Sequence, residues 1–219
     1  MTFYRSWGKR SLDVIGSCLV LLVFAPAIFL VAILVKWRLG DPIFFRQRRP
    51  GISGEPFEMI KFRTMKNSMG PDGRLLPDDR RLTKFGRKLR EWSLDELPTF
   101  WNVLRGDMSL VGPRPLLTQY LPLYSKHQAR RHELRPGITG LAQVSGRNAI
   151  TWEDKFERDI YYVDNCSFKL DATIICKTIA KVISREGVNF NNPGSMPFFQ
   201  GSKNASEAED NAVSTESDQ

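Results

Sequence analysis

Residues 14–35 read VIGSCLVLLVFAPAIFLVAILV, 22 residues without a charge. At about 1.5 Å per residue, a straight helix of that length reaches roughly 33 Å, enough to cross a hydrocarbon core of about 30 Å. Basic residues stand on both sides, Arg5, Lys9 and Arg10 before it and Lys36, Arg38, Arg46, Arg48 and Arg49 after it. A crossing in either direction leaves one basic cluster on the wrong side, whereas a segment that enters and leaves the same leaflet satisfies both. Pro26, near the middle, deletes a helical hydrogen bond and clashes with the preceding turn. The bend it predicts divides the run into two arms, each shorter than the bilayer is thick. The pattern favours a re-entrant membrane helix, with a kinked span and a buried core helix as alternatives. No small-residue cleavage site follows before Lys36 and Trp37, so the segment is expected to stay in the mature protein.

The rest of the chain is basic. It has 32 Lys+Arg against 24 Asp+Glu, and the last 17 residues hold five of the acids and one base, so residues 1–202 carry 31 bases and 19 acids. Such a body seeks polyanions: nucleic acid, anionic lipid headgroups or phosphorylated substrates. Nucleic acid is the poorest fit, because the basic residues flank a lipid-seeking segment. Cys18, Cys166 and Cys176 are odd in number and lack CxxC spacing, which argues against a disulfide framework or a metal cluster. At 219 residues the chain suits one globular unit with appendages. The expected layout is an N-terminal segment over 1–40, one domain over 41–201 and a disordered acidic tail over 202–219.

Downstream of the apolar run, Ile43–Gln47 and Glu55–Arg63 read as two strands of a hairpin joined by Arg49, Pro50, Gly51, Ser53 and Gly54. Residues 66–79, rich in Gly and Pro among charges, read as a mobile loop. Leu82, Phe85, Leu89 and Trp92 recur at spacings of three and four among Arg and Lys, which predicts a basic amphipathic helix lying in the headgroup layer. Further helices are expected around Leu97–Leu104, over Trp152–Val163 behind Thr151, and over Ala172–Ser184 behind Asp171 with Gly187 as its stop. His127 and His132 have no apparent partner and read as surface groups.

Within WSLDELPTFWN, two adjacent carboxylates, Asp95 and Glu96, fall at a helix start. Either Ser93 caps that helix and Glu96 completes a capping box, or Asp95 is the cap and Pro98 follows where a missing N–H costs nothing. Pro98 favours the second. Both carboxylates then meet the positive end of the helix dipole, which keeps them ionised. An ionised Asp is a competent nucleophile towards phosphorus, and its neighbour can hold a divalent cation, although an acidic pair at a helix start is by itself most often a cap. In GDMSLVGPRPLL, Arg114 stands between Pro113 and Pro115, whose fixed φ angles aim a guanidinium suited to bidentate phosphate binding. ELRPGITGLAQVSGRN alternates glycines with polar groups and ends near Arg147, the composition of a loop whose backbone approaches a ligand. Its plainer reading is a series of ordinary turns.

Taken in order, YRSWGKRSLDVIGS, FRQRRPG, FEMIKFRTM, SLDELPTFWNVLRGDMSLVGPRP, RPGITGLAQVSGRN and the Asp159, Tyr162 and Val163 region resemble the bacterial sugar transferase family, the monotopic phosphoglycosyl transferases, over roughly residues 3–200. With no large N-terminal membrane domain, the chain looks like the small class, similar to the members that start glycan assembly with a diacetamido-trideoxyhexose phosphate. The resemblance implies an α+β, mostly helical fold, with a re-entrant membrane helix, interfacial amphipathic helices and a small β-hairpin around one catalytic domain. It implies that Asp95 attacks the β-phosphorus of a UDP-sugar, releases UMP and passes the sugar phosphate to undecaprenyl (polyprenyl) phosphate at the inner membrane's cytoplasmic face. Glu96, with Asp95, would bind Mg²⁺. Arg114 and Arg147 would grip phosphate, helped by Lys61, Arg63 and Arg90, while Asp159 would brace the site. The family usually has Ser-Pro at the membrane bend, where this chain has Ala25-Pro26, so the hydroxyl that would satisfy a freed carbonyl is lacking. The competing class is a non-catalytic adaptor that binds anionic lipid or nucleic acid through its basic face; it has no need of Asp95.

Overall fold

The computed structural model describes residues 4–146, 150–184 and 198–201. A π-helical turn, Tyr4–Gly8, leads into α1 (Lys9–Val23), and α2 (Ala25–Leu39) follows after the single residue Phe24. The pair is bent by 63°. Among the described residues no single helix is long and apolar enough to cross a membrane, and only the two together meet that requirement. The break falls at Phe24, two residues before Pro26. Pro26 occupies the first turn of α2, where its missing N–H needs no partner and its fixed φ suits a helix start.

The base of α1 is part of the protein interior. Lys9, Asp13 and Ser17 share its buried face. The Lys9 ammonium lies 2.6 Å from Asp171, which also accepts from the Tyr4 hydroxyl at 2.6 Å and lies 2.7 Å from that of Tyr162. Asp13 accepts from the Ser109 hydroxyl and the Leu110 N–H. Arg10 donates to the Val103 and Leu104 carbonyls at 2.6 and 2.7 Å, closing the end of a helix described below. Lys9 and Arg10 are therefore not headgroup-facing flanks: charges this deep must be paired, and the pairing docks α1 onto the domain. Large apolar side chains along both helices remain uncovered, with Leu22 and Trp37 each 76 % exposed and Phe29 70 %. The core-helix alternative does not fit such exposure.

A hairpin follows, β1 (Phe44–Pro50) pairing antiparallel with β2 (Pro56–Phe62), Arg49 opposite Phe57 and Phe45 opposite Lys61. β1 runs three residues further than its sequence suggests, because Arg49 and Pro50 pair rather than turn. Residues 66–79 hold a tight turn, with Gly70 N–H bonded to the Arg74 carbonyl and Leu76 N–H to Ser68, before the short α3 (Asp78–Arg81). α4 (Lys84–Glu91) is capped by Thr83. Its apolar face is not offered to a headgroup layer: Leu89 and Phe85 pack with Val31, Val35 and Phe62, so α4 clamps α2 to the hairpin. Trp92 at its end stays exposed.

α5 (Thr99–Arg105) leads to β3 (Ser109–Val111), which pairs in parallel with β4 (Gly137–Thr139). The glycines here let backbones pack closely, and Gly137 also lines the cavity beside Glu96. A Cβ on Gly137 would lie 2.1 Å from Gly112 N, and one on Gly140 would lie 2.2 Å from Gly112 O. Short α6 (Lys126–Ala129) and α7 (Leu141–Ser145) precede α8 (Trp152–Asn165), capped by Thr151, and α9 (Phe168–Ser184). α9 begins four residues earlier than its pattern suggests, so Asp171 lies inside its first turn and is engaged by Lys9 rather than capping. Val111, Tyr162, Val163 and Ile174 form the core joining β3, α8 and α9. Phe199 closes a second, aromatic core with Tyr120, Phe156 and Trp152. The acidic tail and the Gly187 stop lie outside the described residues.

Candidate active site

Lys61 stands on β2, and α5 is fixed beside the same strand. The Asn102 side chain, fully buried, accepts from Ile60 N–H at 3.0 Å and donates to the Glu58 carbonyl at 2.7 Å, while the Thr99 hydroxyl donates to the Ile60 carbonyl at 2.8 Å. An amide that copies a strand's donor and acceptor holds α5 against the strand and fixes the turn before it. That turn is a 3-10 segment, Leu94–Glu96, entered through Ser93 at φ 54°. Ser93 precedes the 3-10 segment without a side-chain capping bond, Asp95 lies inside that segment, and Pro98 occupies the N-cap of α5. Burial and neighbouring charge, not a helix dipole, set the ionisation of the two carboxylates.

Asp95 is 8 % exposed. Burial, and then the charge of Glu96, push its pKa up to about 6, against the pull of Lys61, Arg90 and Arg114. Glu96 behaves oppositely. Burial works to raise its pKa too, but Lys61 at 2.6 Å and Arg114 at 3.0 Å outweigh it and hold the value at about 2. The turn thus presents a fixed carboxylate clamped by two cations beside one that titrates close to neutrality.

Arg114 leaves β3 between Pro113 and Pro115, and its side chain is 45 % exposed. Its backbone is tied from beneath: the Pro113 carbonyl accepts from Gly137 N–H at 2.9 Å, and the Arg114 carbonyl accepts from Arg131 at 2.8 Å. Arg131 is in turn paired with Asp159 at 2.7 Å, both side chains almost wholly buried. Asp159 thus reaches the Arg114 loop through Arg131.

Arg90 donates to the Thr64 hydroxyl and is near enough for its charge to act on Asp95. Arg63 is elsewhere. It donates to the carbonyls of Leu39, Gly40 and Asp41 and closes the end of α2, so it is a helix-terminating group and not a site cation. Arg147 lies outside the described residues. His132, read as a surface group, is buried with Nδ1 3.1 Å from the Gly51 carbonyl, and His127 is an exposed partner of Glu157. A cavity beside Glu96 is lined by Lys61, Arg114, Pro115, Thr99, Met59 and Arg49. Sequence reasoning missed Arg49, taken for a turn residue, and Arg131, whose partner lies 28 positions away.

For a divalent cation the donor set would be Asp95 and Glu96. Among the described residues no group of three or more His, Cys, Asp or Glu side chains is placed to hold an ion. Two hard carboxylates, both largely ionised at neutral pH, would suit Mg²⁺, which commonly takes one or two carboxylates and fills its shell with water and substrate phosphates.

The family model for bacterial sugar transferases matches residues 4–185. The chain belongs to the bacterial sugar transferase family. It is 52 % identical over 198 residues to the sugar transferase EpsL of Bacillus subtilis, covering 90 % of this chain and 98 % of that protein. It is 39 % identical to the exopolysaccharide production protein ExoY of Rhizobium meliloti, covering 82 % and 87 %. With the UDP-glucose:undecaprenyl-phosphate glucose-1-phosphate transferase of Caulobacter vibrioides it shares 41 % identity over 81 % of this chain and 70 % of that enzyme. The family's match begins at Tyr4, so the docked base of α1 belongs to its common body.

Proposed function

We propose that this protein is a phosphoglycosyl transferase that moves a sugar 1-phosphate from a UDP-sugar to undecaprenyl phosphate, as a first membrane step of glycan assembly. The carrying observation is Asp95, a buried carboxylate with pKa about 6 set among Lys61, Arg90 and Arg114. The names of the relatives supply the substrate class. An Asp95 oxygen bonds to the β-phosphorus as the bond from that phosphorus to the bridging oxygen breaks, and UMP departs with that oxygen. The phosphate oxygen of the polyprenyl phosphate then attacks the same phosphorus and displaces Asp95. Near neutral pH the carboxylate is largely ionised, and its raised pKa makes it a stronger nucleophile than an exposed Asp. Lys61 and Arg114 orient the phosphate; Asp159, through Arg131, keeps the Arg114 loop in place. Asp95 and Glu96 would hold Mg²⁺, which supplies charge neutralisation between carboxylate and diphosphate.

We infer further that α1 and α2 form a re-entrant anchor at the cytoplasmic face of the inner membrane. Two observations support this. The start of α1 is bonded to β3 and α9, and the end of α2 packs on β2 and α4, so both ends of the bent pair are attached to one body. The uncovered surface of the pair is apolar. Such an anchor holds the basic site at the depth where a lipid-linked phosphate meets a soluble nucleotide. Cysteines introduced as Phe3→Cys and Asp41→Cys, in a chain freed of its own, should both resist periplasmic labelling; labelling of either one establishes a span. The reaction is tested by incubating the full chain with undecaprenyl phosphate and UDP-glucose, UDP-galactose or UDP-N-acetylgalactosamine. UMP release that requires the lipid for multiple turnovers is expected, and a chain that releases none from any donor is not this enzyme.

A further inference from the structure

Arg49 lines the same cavity as Lys61, Glu96 and Arg114. Its guanidinium donates to the Gln47 side-chain oxygen at 2.7 Å, and its Nε is buried with no acceptor among the described residues. Glu96 compensates Lys61 and Arg114, whereas no carboxylate among the described residues pairs with Arg49. Burial and the nearby charge of Arg114 pull its pKa down to about 10, so it is still charged at neutral pH and its charge is poorly relieved. Three cations facing one carboxylate leave the cavity with an excess that a phosphate dianion would relieve.

The hairpin register gives Arg49 a position. It lies opposite Phe57, and Lys61 lies opposite Phe45, so the two cations share a face of the hairpin four residues apart. At about 3.4 Å per residue their backbones are separated by roughly 14 Å along the strands, with the cavity between. The Lys61 end adjoins exposed Phe44 and Phe45 and the end of α2, the apolar side of the molecule. The Arg49 end is the far one.

We propose that Arg49 binds the nucleotide phosphate of the donor, the group that leaves as UMP, at the end of the cavity away from the apolar anchor. The assignment rests on the transferase reading above. When an Asp95 oxygen bonds to the sugar-bearing phosphorus, the bridging oxygen takes the electron pair of the broken bond. The new charge develops on UMP, and a guanidinium with an unused donor suits it better than an ammonium does. The lipid-linked phosphate arrives from the opposite end and has no need of Arg49.

The test uses full-length wild type, Arg49→Gln and Arg49→Lys. UMP affinity is read by calorimetry without turnover, and the KM for undecaprenyl phosphate is read during turnover. UMP affinity should fall about tenfold to a hundredfold in Arg49→Gln, the scale of lost charge-assisted hydrogen bonds. Arg49→Lys should fall between that and wild type, with the lipid KM held within about twofold in both, as expected if the two phosphates use different ends of the cavity. Unchanged UMP affinity in Arg49→Gln overturns the assignment. So does a lipid KM that rises in step with the loss of UMP binding, which would mark a lipid-phosphate site or a damaged fold. Because UMP binding needs no donor, its loss in Arg49→Gln supports Arg49 even if no UDP-sugar turns over, and then only the transferase reading fails.

Discussion

The base of α1 and the turn at Asp95 both keep charged groups out of water, and they do so in opposite ways. At α1 the ammonium of Lys9 and the carboxylate of Asp171 are 9 % and 7 % exposed and touch at 2.6 Å, with two tyrosine hydroxyls closing the remaining valences. At Asp95 the carboxylate is crowded by Glu96, and the bonds of Lys61 and Arg114 go to Glu96 rather than to it. A buried charge that is fully paired fixes an element in place. One left short of partners is held ready to bond something else.

Removing one charge from each region should therefore have contrary effects. Asp95→Asn should lower turnover by at least about 10⁴-fold, since the nucleophile is gone and the amide cannot replace it. The same change should raise stability near pH 7. A folded-state pKa above the ordinary carboxylate value means that ionising Asp95 destabilises the fold, by about 1–3 kcal/mol for the shift to about 6, so the gain appears as pH rises from about 4 to 6 and vanishes below. Denaturant melts of the two proteins at pH 4 and pH 7.5 check it; a destabilised Asp95→Asn would mean that the carboxylate is as well paired as Asp171.

Lys9→Met should cost about 3–5 kcal/mol, because Asp171 is left charged and buried without its ammonium. Chemical denaturation reads this directly, and a loss below about 1 kcal/mol would show the pair to be solvated. Next in size is the pH response. Donor cleavage, read as the first burst of UMP, should fall about tenfold per pH unit below about 6 as Asp95 takes up a proton. A flat profile from pH 7 to pH 4.5 would set the shift of Asp95 aside. The smallest effect is expected at Arg63→Gln. Stability should drop by about 1–2 kcal/mol through the lost closure of α2, and UMP release per folded molecule should stay within about threefold. A selective loss of turnover there would return Arg63 to the site.

The fold and the site were legible in the sequence only unevenly. The hairpin was legible from two short strand-like runs with Pro50, Gly51, Ser53 and Gly54 between them, and α8 was legible from Thr151 and its apolar spacing. The acidic pair and the Pro-Arg-Pro triplet stood out as well. The parallel pair β3 and β4 did not, since three residues show no period and its glycines look like turn glycines until their backbones are seen in contact. Arg63 and Arg90 are both cations near the end of an element, and only the tertiary structure sends one to the end of α2 and the other towards Asp95. Lys9 and Arg10 illustrate the same difficulty: beside an apolar run they read as headgroup partners, and their acceptors lie 162 and 93 residues away.

The most direct measurement is mass spectrometry of the full chain mixed with a UDP-sugar donor and no polyprenyl phosphate, quenched within the first turnover. A mass increase equal to one sugar phosphate, mapped to the peptide bearing Asp95 and missing from Asp95→Asn, is the predicted result. Brisk turnover on adding lipid, with no adduct at Asp95 at any quench time, would contradict it.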